Sequence, residues 1–219
     1  MRRKLTMMIK SMSNSLPYDS RVEYLESNGT QYINTGIIQT SLDFELTLKF
    51  KWVGSTLSTF ETFVGYLGNS SSYPRFSFNK YSSKWMFGTN ATRITSISAD
   101  SNEHTIKVIC NSNDNTEHLY IDDVEVESGT VSYTSYILNN TLSFFLFARN
   151  ANGTAGNKAI ARIMQFEYKE FTDSSHVTTS LENNFIPVRI SNIGYMFDQV
   201  SRQLFGNSGT GSFIIGNDI

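Results

Sequence analysis

The sequence predicts an all-β domain in which antiparallel strands form two packed sheets. From Val22 onward, apolar and polar residues alternate with a period of two, which is typical of strands that bury one face. No apolar stripe of helical spacing extends over ten or more residues in this part of the chain. Runs of strands without intervening helices favour a sandwich or a barrel of antiparallel sheets.

Three segments carry the alternation most clearly. In residues 43–52 the even positions are apolar and the odd positions polar, which predicts a half-buried strand. Residues 104–110 and 164–169 show the same pattern. The apolar positions that we expect to face the core in these two strands are Ile106, Val108, Cys110, Met164, Phe166 and Tyr168.

Residues 117–126 predict a hairpin around Asp122 and Asp123, because Asp tolerates the left-handed conformation that a two-residue turn needs. We expect Val124 and Val126 on its inner face. Residues 142–148 are almost continuously apolar, which predicts a central strand covered on both faces. Weaker strands are predicted over residues 61–67, 75–79, 85–88, 93–97, 184–190 and 194–197.

Length and composition fit one sandwich domain. A β-sandwich of 219 residues is common as a single unit, and 16 Phe, 11 Tyr and 2 Trp supply large core side chains. The formal net charge of −2 leaves no cationic excess for a phosphate backbone, so we expect no nucleic-acid partner. The single cysteine, Cys110, excludes an internal disulfide, and its place in the alternation predicts a small buried apolar group rather than a nucleophile.

Residues 1–18 differ from the rest and predict an N-terminal arm, with the sandwich over residues 19–219. The arm is basic and methionine-rich, and its apolar run over residues 5–9 is too short for a secretory signal or a membrane span. We expect no membrane partner. The arm is either a frayed terminus or an anchor and oligomerisation segment, for which Met7, Met8, Ile9 and Met12 are the candidate contacts.

Two stretches near the ends of the predicted sandwich carry motifs, VEYLESNGTQYINTG over residues 22–36 and IGYMFDQVSRQLFGNSGTGSF over residues 193–213. They resemble the opening EYLESTGTQYIDTG and the closing GMYDKVSGKFYTNSGTGSF of the concanavalin A-like (laminin-G-like) domains of gut bacteria and their tailed phages. The resemblance implies a two-sheet antiparallel jelly-roll sandwich and says little about the ligand, because one fold hosts many functions. Independently of the resemblance, Asn28-Gly29 and residues 207–211 are expected to form structural turns.

The sequence favours binding over catalysis. Asp123, Glu125 and Glu127 alternate after the hairpin, but the Glu-x-Asp-x-x-Glu pattern of glycosidases on this fold is missing, so we expect a solvated edge. His104, His118 and His176 are not at metal-ligand spacing, and we predict no cofactor. Loops at residues 111–115 and 150–157 could supply oxygens to calcium, although ordinary turns have the same composition.

Flat aromatic rings near loops are the candidate ligand-binding groups. Tyr73, Tyr81 and Trp85 could stack on a sugar or on a protein partner, with core packing as the rival interpretation for Trp85.

Together these patterns predict a non-enzymatic structural or binding protein on a phage virion surface, such as a head fibre, decoration or tail-associated protein. It would be made in the host cytoplasm and contact other virion proteins, form a homo-oligomer, by analogy a trimer, and display a domain for a host surface glycan. The alternative is a bacterial carbohydrate-binding module on the cell surface or secreted. A glycoside hydrolase is the third hypothesis.

Overall fold

Two β-sheets packed face to face account for the regular structure of the chain. The computed structural model describes residues 16–55, 60–68, 75–89, 93–131 and 140–219. Within these ranges every regular element is a strand. The pairing is antiparallel except for one short parallel pair between residues 150–151 and 66–67 and an isolated parallel bridge between Thr62 and Lys158. The predicted all-β sandwich is therefore confirmed, and the architecture is consistent with a lectin-like jelly roll.

The larger sheet has the order β11-β10-β9-β4-β15-β16-β17-β18, with β2 beside β15, β19 beside β2, and β1 beside β16. Its strands, numbered in chain order over both sheets, are β1 (Ser20–Arg21), β2 (Leu25–Asn28), β4 (Phe44–Trp52), β9 (Glu103–Asn111), β10 (Thr116–Ile121), β11 (Val124–Thr130), β15 (Ile160–Phe171), β16 (Thr179–Ile190), β17 (Ile193–Asp198), β18 (Gln203–Phe205) and β19 (Ile214–Ile215).

The smaller sheet has the order β14-β13-β5-β6-β7-β8, and β12 pairs with both β3 and β5. Its strands are β3 (Ile33–Ile38), β5 (Phe60–Leu67), β6 (Arg75–Tyr81), β7 (Lys84–Thr89), β8 (Arg93–Ser98), β12 (Ser143–Leu146), β13 (Arg149–Ala151) and β14 (Thr154–Gly156). The strongly and the weakly predicted strands are all present, and β12 holds the predicted central position.

Aromatic rings fill the space between the sheets. The even positions of β4 are all buried, as the alternation predicts. Among them, Phe50 meets Phe63, Phe78 and Trp85 of the smaller sheet with ring centroids 4.7, 5.4 and 5.4 Å apart. Such contacts add about 0.5–1.5 kcal/mol per pair to the burial of apolar area, so this cluster is a major source of stability.

A β-bulge in β15 changes which residues face the core. Ala161 and Ile163 are buried before the bulge, and Phe166 and Tyr168 are buried after it. The register against β4 shifts between Ile163 and Gln165, so one extra residue enters the alternation there. Met164 occupies that position and is only half-buried. The predicted burial of Met164 is therefore wrong.

The predicted hairpin joins β10 to β11. Asp122 and Asp123 both take positive φ, 51° and 66°, as a two-residue type I′ turn requires. A second bulge shifts the register between Leu119 and Tyr120. Val124 beside the turn pairs with the buried Ile121 and so lies on the predicted inner face, but it is 64% exposed and does not pack in the core. Val126 is partly buried and packs against the core, as predicted.

The two sequence stretches that bracket the domain lie against each other. The amide of Ser208 donates to the carbonyl of Tyr32 at 2.8 Å, and the Thr30 hydroxyl donates to the carbonyl of Thr210 at 3.0 Å. The Gln31 side-chain amide donates to the carbonyl of Ser212 at 3.0 Å. The two predicted turns are thus structural and hold each other in place.

Gly209 lets these two stretches approach closely. A Cβ atom built on Gly209 would lie 2.2 Å from the carbonyl oxygen of Thr30, which is backbone and cannot move aside. We expect Gly209→Ala to lower the free energy of unfolding by about 1–3 kcal/mol, as other overpacking changes do. Urea denaturation measures this loss. Gly156→Ala is the control, because a Cβ atom there meets nothing closer than 3.8 Å. Equal stability losses in the two variants would contradict the prediction.

A buried ion pair joins the two sheets where the edge strands β8 and β11 lie side by side. Glu117 is fully buried, and its carboxylate lies 3.2 Å from the guanidinium of Arg93. It also accepts a hydrogen bond from the backbone amide of Thr89 at 2.8 Å. Burial raises the pKa of Glu117 to about 7, against the opposing effects of Thr89 and Arg93. Arg93 also donates to the carbonyl of Thr130, so it connects β8 to both β10 and β11.

We expect Arg93→Ala to destabilise the domain by about 3 kcal/mol at pH 8, because it leaves the buried Glu117 carboxylate without its cation. The loss is smaller at pH 5, where Glu117 is protonated in the folded protein. In the unaltered protein, the folded pKa of Glu117 exceeds the ordinary value of 4.5, so its contribution to stability declines as pH rises from about 4.5 to 7.

Denaturant unfolding at pH 5 and pH 8 checks this pH dependence. Lys169→Ala is the control, since Lys169 forms an exposed pair with Glu182 at 3.0 Å that contributes at most about 1 kcal/mol. The same loss for Arg93→Ala at both pH values would contradict the assigned role of Glu117.

Candidate ligand-binding site

The larger sheet forks along one side of β15. On its other side, β15 pairs with β4 from Ala161 to Glu170. On the forked side it pairs first with β2, over residues 160–163, and then with β16, over residues 166–171. The bulge at Met164 lies where one neighbour is exchanged for the next. Because β2 and β16 cannot both lie beside β15 there, a gap opens in the sheet surface.

A groove of about 470 Å³ opens on the outer face of the sheet at this gap, and we call it the fork groove. Its volume lies within the range of about 300–1,000 Å³ that is typical of small-ligand sites. The residues that line it are Arg21, Val22, Glu23, Tyr24, Lys49, Lys51, Glu103, Arg162, Met164, Gln165 and Ile219.

The strand alternation explains why the groove is charged. Lys49 and Lys51 occupy odd positions of β4, whose even positions form the core, so these two side chains lie on the outer face. In register across the sheet, Lys51 lies opposite Arg162 of β15 on one side and opposite Glu103 of β9 on the other. The outward-facing polar residues of these strands therefore line the groove.

Ion pairs and ring contacts hold several of these side chains. Lys49 lies 2.7 Å from the Glu103 carboxylate. Arg162 donates from Nε to Glu26 at 2.5 Å, and its guanidinium carbon lies 4.1 Å from the centre of the Tyr24 ring. The hydrogen bond to Glu26 raises the pKa of Arg162 above its usual value. The guanidinium is therefore fixed as a permanent cation over an aromatic face.

A second cleft, of about 290 Å³, lies between β3 of the smaller sheet and the strands β16 and β18 of the larger sheet. β18 is at the end of the larger sheet that lies opposite β11. Ile37 and Ile38 of β3 form one side, and Leu181, Asn183 and Phe205 belong to the other. The Asn183 side-chain amide donates to Asp198 at 2.9 Å, whereas its buried Oδ1 atom has no hydrogen-bond partner. This cleft is smaller and more apolar than the fork groove.

Of the predicted aromatic ligand-binding residues, Tyr81 and Trp85 are not among the lining of either cavity. Trp85 is fully buried and stacks on Phe78 at 5.8 Å, in agreement with the core-packing interpretation. Its ring is not available to an external ligand, which corrects its candidacy. Tyr81 is 48% exposed and contacts Phe60 with ring centroids 5.8 Å apart, so it could still meet a partner. Tyr73 lies outside the described residues.

The candidate anchor residues Met7, Met8, Ile9 and Met12 also lie outside the described residues. Among the described residues, no helical segment has the length and apolar character needed to cross a bilayer.

The acidic and metal-binding candidates are engaged in local structure. Glu125 is exposed and pairs with His118 at 2.8 Å, as expected for a solvated edge. In the calcium-candidate loops, Asn111, Asp114 and Asn150 accept hydrogen bonds from backbone amides two or three residues further on. No group of three or more His, Cys, Asp or Glu side chains in the described ranges could hold a metal ion. Burial raises the pKa of the Cys110 thiol, which suits its predicted apolar role.

Comparisons with known proteins reveal similarity in structure alone. No protein-family model and no curated protein sequence matches this chain. A "putative carbohydrate binding protein" from Bacteroides ovatus ATCC 8483 is similar with a TM-score of 0.61 and 8% identity, over 91% of this chain and 60% of that one. The CBM40 module of the Ruminococcus gnavus IT-sialidase has a TM-score of 0.53 and 8% identity, over 64% of this chain and 86% of the module.

The NanB sialidase of Streptococcus pneumoniae, in its K499G mutant, is similar with a TM-score of 0.54 and 15% identity. The match covers 92% of this chain but only 40% of the sialidase. At these identities the comparisons show the fold and leave the ligand open. The chain thus has the lectin-like β-sandwich fold that these carbohydrate-binding modules share.

Proposed function

We propose that this domain is a non-enzymatic carbohydrate-binding module and that the fork groove is its binding site. The observation that carries the proposal is the groove itself, an outward-facing cavity of about 470 Å³ lined by hydrogen-bonding side chains and one tyrosine. The fold supports it, because the structural neighbours include a CBM40 module that was solved with α2,3-sialyllactose.

The lining suits a saccharide in its chemistry. Sugar hydroxyls need several donors and acceptors at close spacing, which Lys49, Lys51 and Gln165 supply on neighbouring strands. The half-buried side chain of Met164 adds an adaptable apolar contact in the middle. Because these groups stand on paired strands, their spacing is set before a ligand arrives, which lowers the entropy cost of binding.

The same contacts argue for binding without catalysis. A glycosidase needs two carboxyl groups placed about 5–9.5 Å apart and able to exchange protons with the substrate. In the fork groove, Glu103 is bound by Lys49 at 2.7 Å, and Glu23 accepts hydrogen bonds from the backbone and side-chain amides of Asn217 at 3.2 and 3.1 Å. Both carboxylates are therefore committed to contacts within the protein.

A variant that fills the groove tests the proposed function. We expect the unaltered protein to bind at least one glycan on an array, and Met164→Trp to weaken that binding at least tenfold by isothermal titration calorimetry. Lys169→Trp is the matched control, because Lys169 lies on the same strand outside the groove and should leave the affinity unchanged. Binding that survives Met164→Trp would place the site elsewhere, and an empty array would contradict the function.

We also propose, from the sequence, that residues 1–15 attach this domain to a phage particle, on whose surface it would be displayed. What supports a role for the arm is its defined junction with the domain. The Tyr18 ring packs against Phe197 with centroids 5.1 Å apart, and the amide of Asp19 donates to the carbonyl of Arg189 at 2.9 Å. Tyr18, which the sequence places in the arm, therefore packs against the domain, and we expect a cut before residue 16 to leave the sandwich intact.

Deletion of residues 1–15 tests the attachment. We expect the shortened protein to keep its thermal unfolding temperature and glycan affinity while it no longer co-sediments with particles or forms its homo-oligomer. The control replaces Met7, Met8, Ile9 and Met12 by serine in the full-length chain and should have the same effect on attachment. Unchanged co-sedimentation and oligomeric state after the deletion would contradict an anchoring role.

A further inference from the structure

We propose that Lys51 and Arg162 form an anion subsite in the fork groove, which binds the carboxylate or sulfate group of an acidic glycan. This inference rests on the proposed function and adds the chemical class of the ligand. It follows from the register of the sheet, from the partners of the surrounding carboxylates and from the distribution of charge over the chain.

The register places two cations directly opposite each other. Lys51 of β4 and Arg162 of β15 are cross-strand partners in the antiparallel pair. Directly opposed residues have Cβ atoms about 4.5–5.5 Å apart, and like charges in such positions repel. An anion placed between the two side chains would convert this repulsion into two attractions.

No carboxylate of the groove neutralises Lys51. Glu103, its cross-strand neighbour on the other side, lies 2.7 Å from Lys49 instead. Glu26 binds Nε of Arg162 at 2.5 Å. Among the described residues, the Lys51 ammonium has no ion pair within 4 Å and no hydrogen bond, so its three donors are open to a ligand.

Arg162 is already oriented for an anion. Its Nε is bound by Glu26, and the guanidinium lies over the ring of Tyr24 at 4.1 Å, so the plane of the group is fixed. Its terminal nitrogens make no hydrogen bond to the described residues. A guanidinium held in this way can bind two oxygens of a carboxylate or a sulfate side by side, which is the strongest arrangement for such groups.

The charge of the groove has the opposite sign to that of the chain. The whole chain carries a formal net charge of −2. The side chains that line the fork groove include four cations, Arg21, Lys49, Lys51 and Arg162, against two carboxylates, Glu23 and Glu103. Positive charge concentrated in a concave surface raises the local concentration of anionic ligands. An acidic glycan would therefore be drawn to this groove.

The experiment compares N-acetyllactosamine with its sialylated, carboxylate-bearing form and its sulfated form by calorimetry in 150 mM NaCl. We expect at least one acidic form to bind tenfold or more tightly than the neutral sugar, and the preferred form identifies the anion. Within the Lys51→Met variant, the acidic form should bind no more tightly than the neutral sugar, so the ratio of the two affinities falls at least tenfold. Lys107→Met is the matched control, because it makes the same charge change on the same sheet face, at a residue paired with Glu45 at 3.0 Å.

The outcomes separate this inference from the proposed function. One outcome would overturn the anion subsite and leave the proposed function in place. In that outcome the neutral sugar binds, Met164→Trp blocks its binding, and neither acidic form binds more tightly than the neutral sugar. An equal effect of Lys51→Met and Lys107→Met on acidic glycans overturns the anion subsite as well.

A measurement without glycan covers the case in which no sugar binds. Thermal unfolding is followed in sodium sulfate and in sodium chloride at equal ionic strength. Sulfate raises the unfolding temperature of most proteins by exclusion from their surface, so Lys107→Met sets the baseline. We expect an additional stabilisation by sulfate in the unaltered protein and in Lys107→Met that is lost in Lys51→Met. The same sulfate effect in all three proteins would overturn the subsite.

Discussion

β15 pairs with β4 along one side and with two strands in succession along the other, and this exchange of neighbours organises the larger sheet. The bulge at Met164 makes the exchange compatible with a continuous core, because Ala161 and Ile163 before it and Phe166 after it all point inward. The same extra residue shifts the register of β15 against β4, and the fork groove lies on the outer surface at this position. One local irregularity thus keeps the interior closed and creates the groove on the exterior.

The two faces of the larger sheet have different roles, and both follow from the alternation of apolar and polar residues along its strands. The inner positions of β4 pack aromatic rings against the smaller sheet and provide stability. The outer positions carry lysines that add little to stability, since exposed ion pairs such as Lys49 with Glu103 contribute at most about 1 kcal/mol. Because these outer side chains contribute little to stability, they can be used to bind a ligand. The domain can therefore tolerate the like-charged pair of Lys51 and Arg162.

Local pattern predicted most of the fold and little of the site. The alternation in β4 and β9 and the turn at Asp122 could be predicted because each is encoded within about ten residues. The inward orientation of Met164 was wrong because a bulge has no compositional signal and changes sidedness only through pairing with another strand. The fork groove was missed for a related reason: it depends on which distant strands lie beside β15, and no window of sequence reports that pairing.

The contact between residues 27–32 and residues 207–213 has a consequence for synthesis. Nearly the whole domain separates these two stretches along the chain, so bringing them together costs loop-closure entropy. We therefore expect their contact to form late in folding. A nascent chain on the ribosome lacks the second stretch until almost all of the domain has been translated. Until then the turn at Asn28 and Gly29 has no partner, and the neighbouring strand β2 lacks β19 beside it. The final closure of the domain therefore waits until its last strands have been translated, and an interrupted chain exposes an unpaired strand edge at which aggregation can begin.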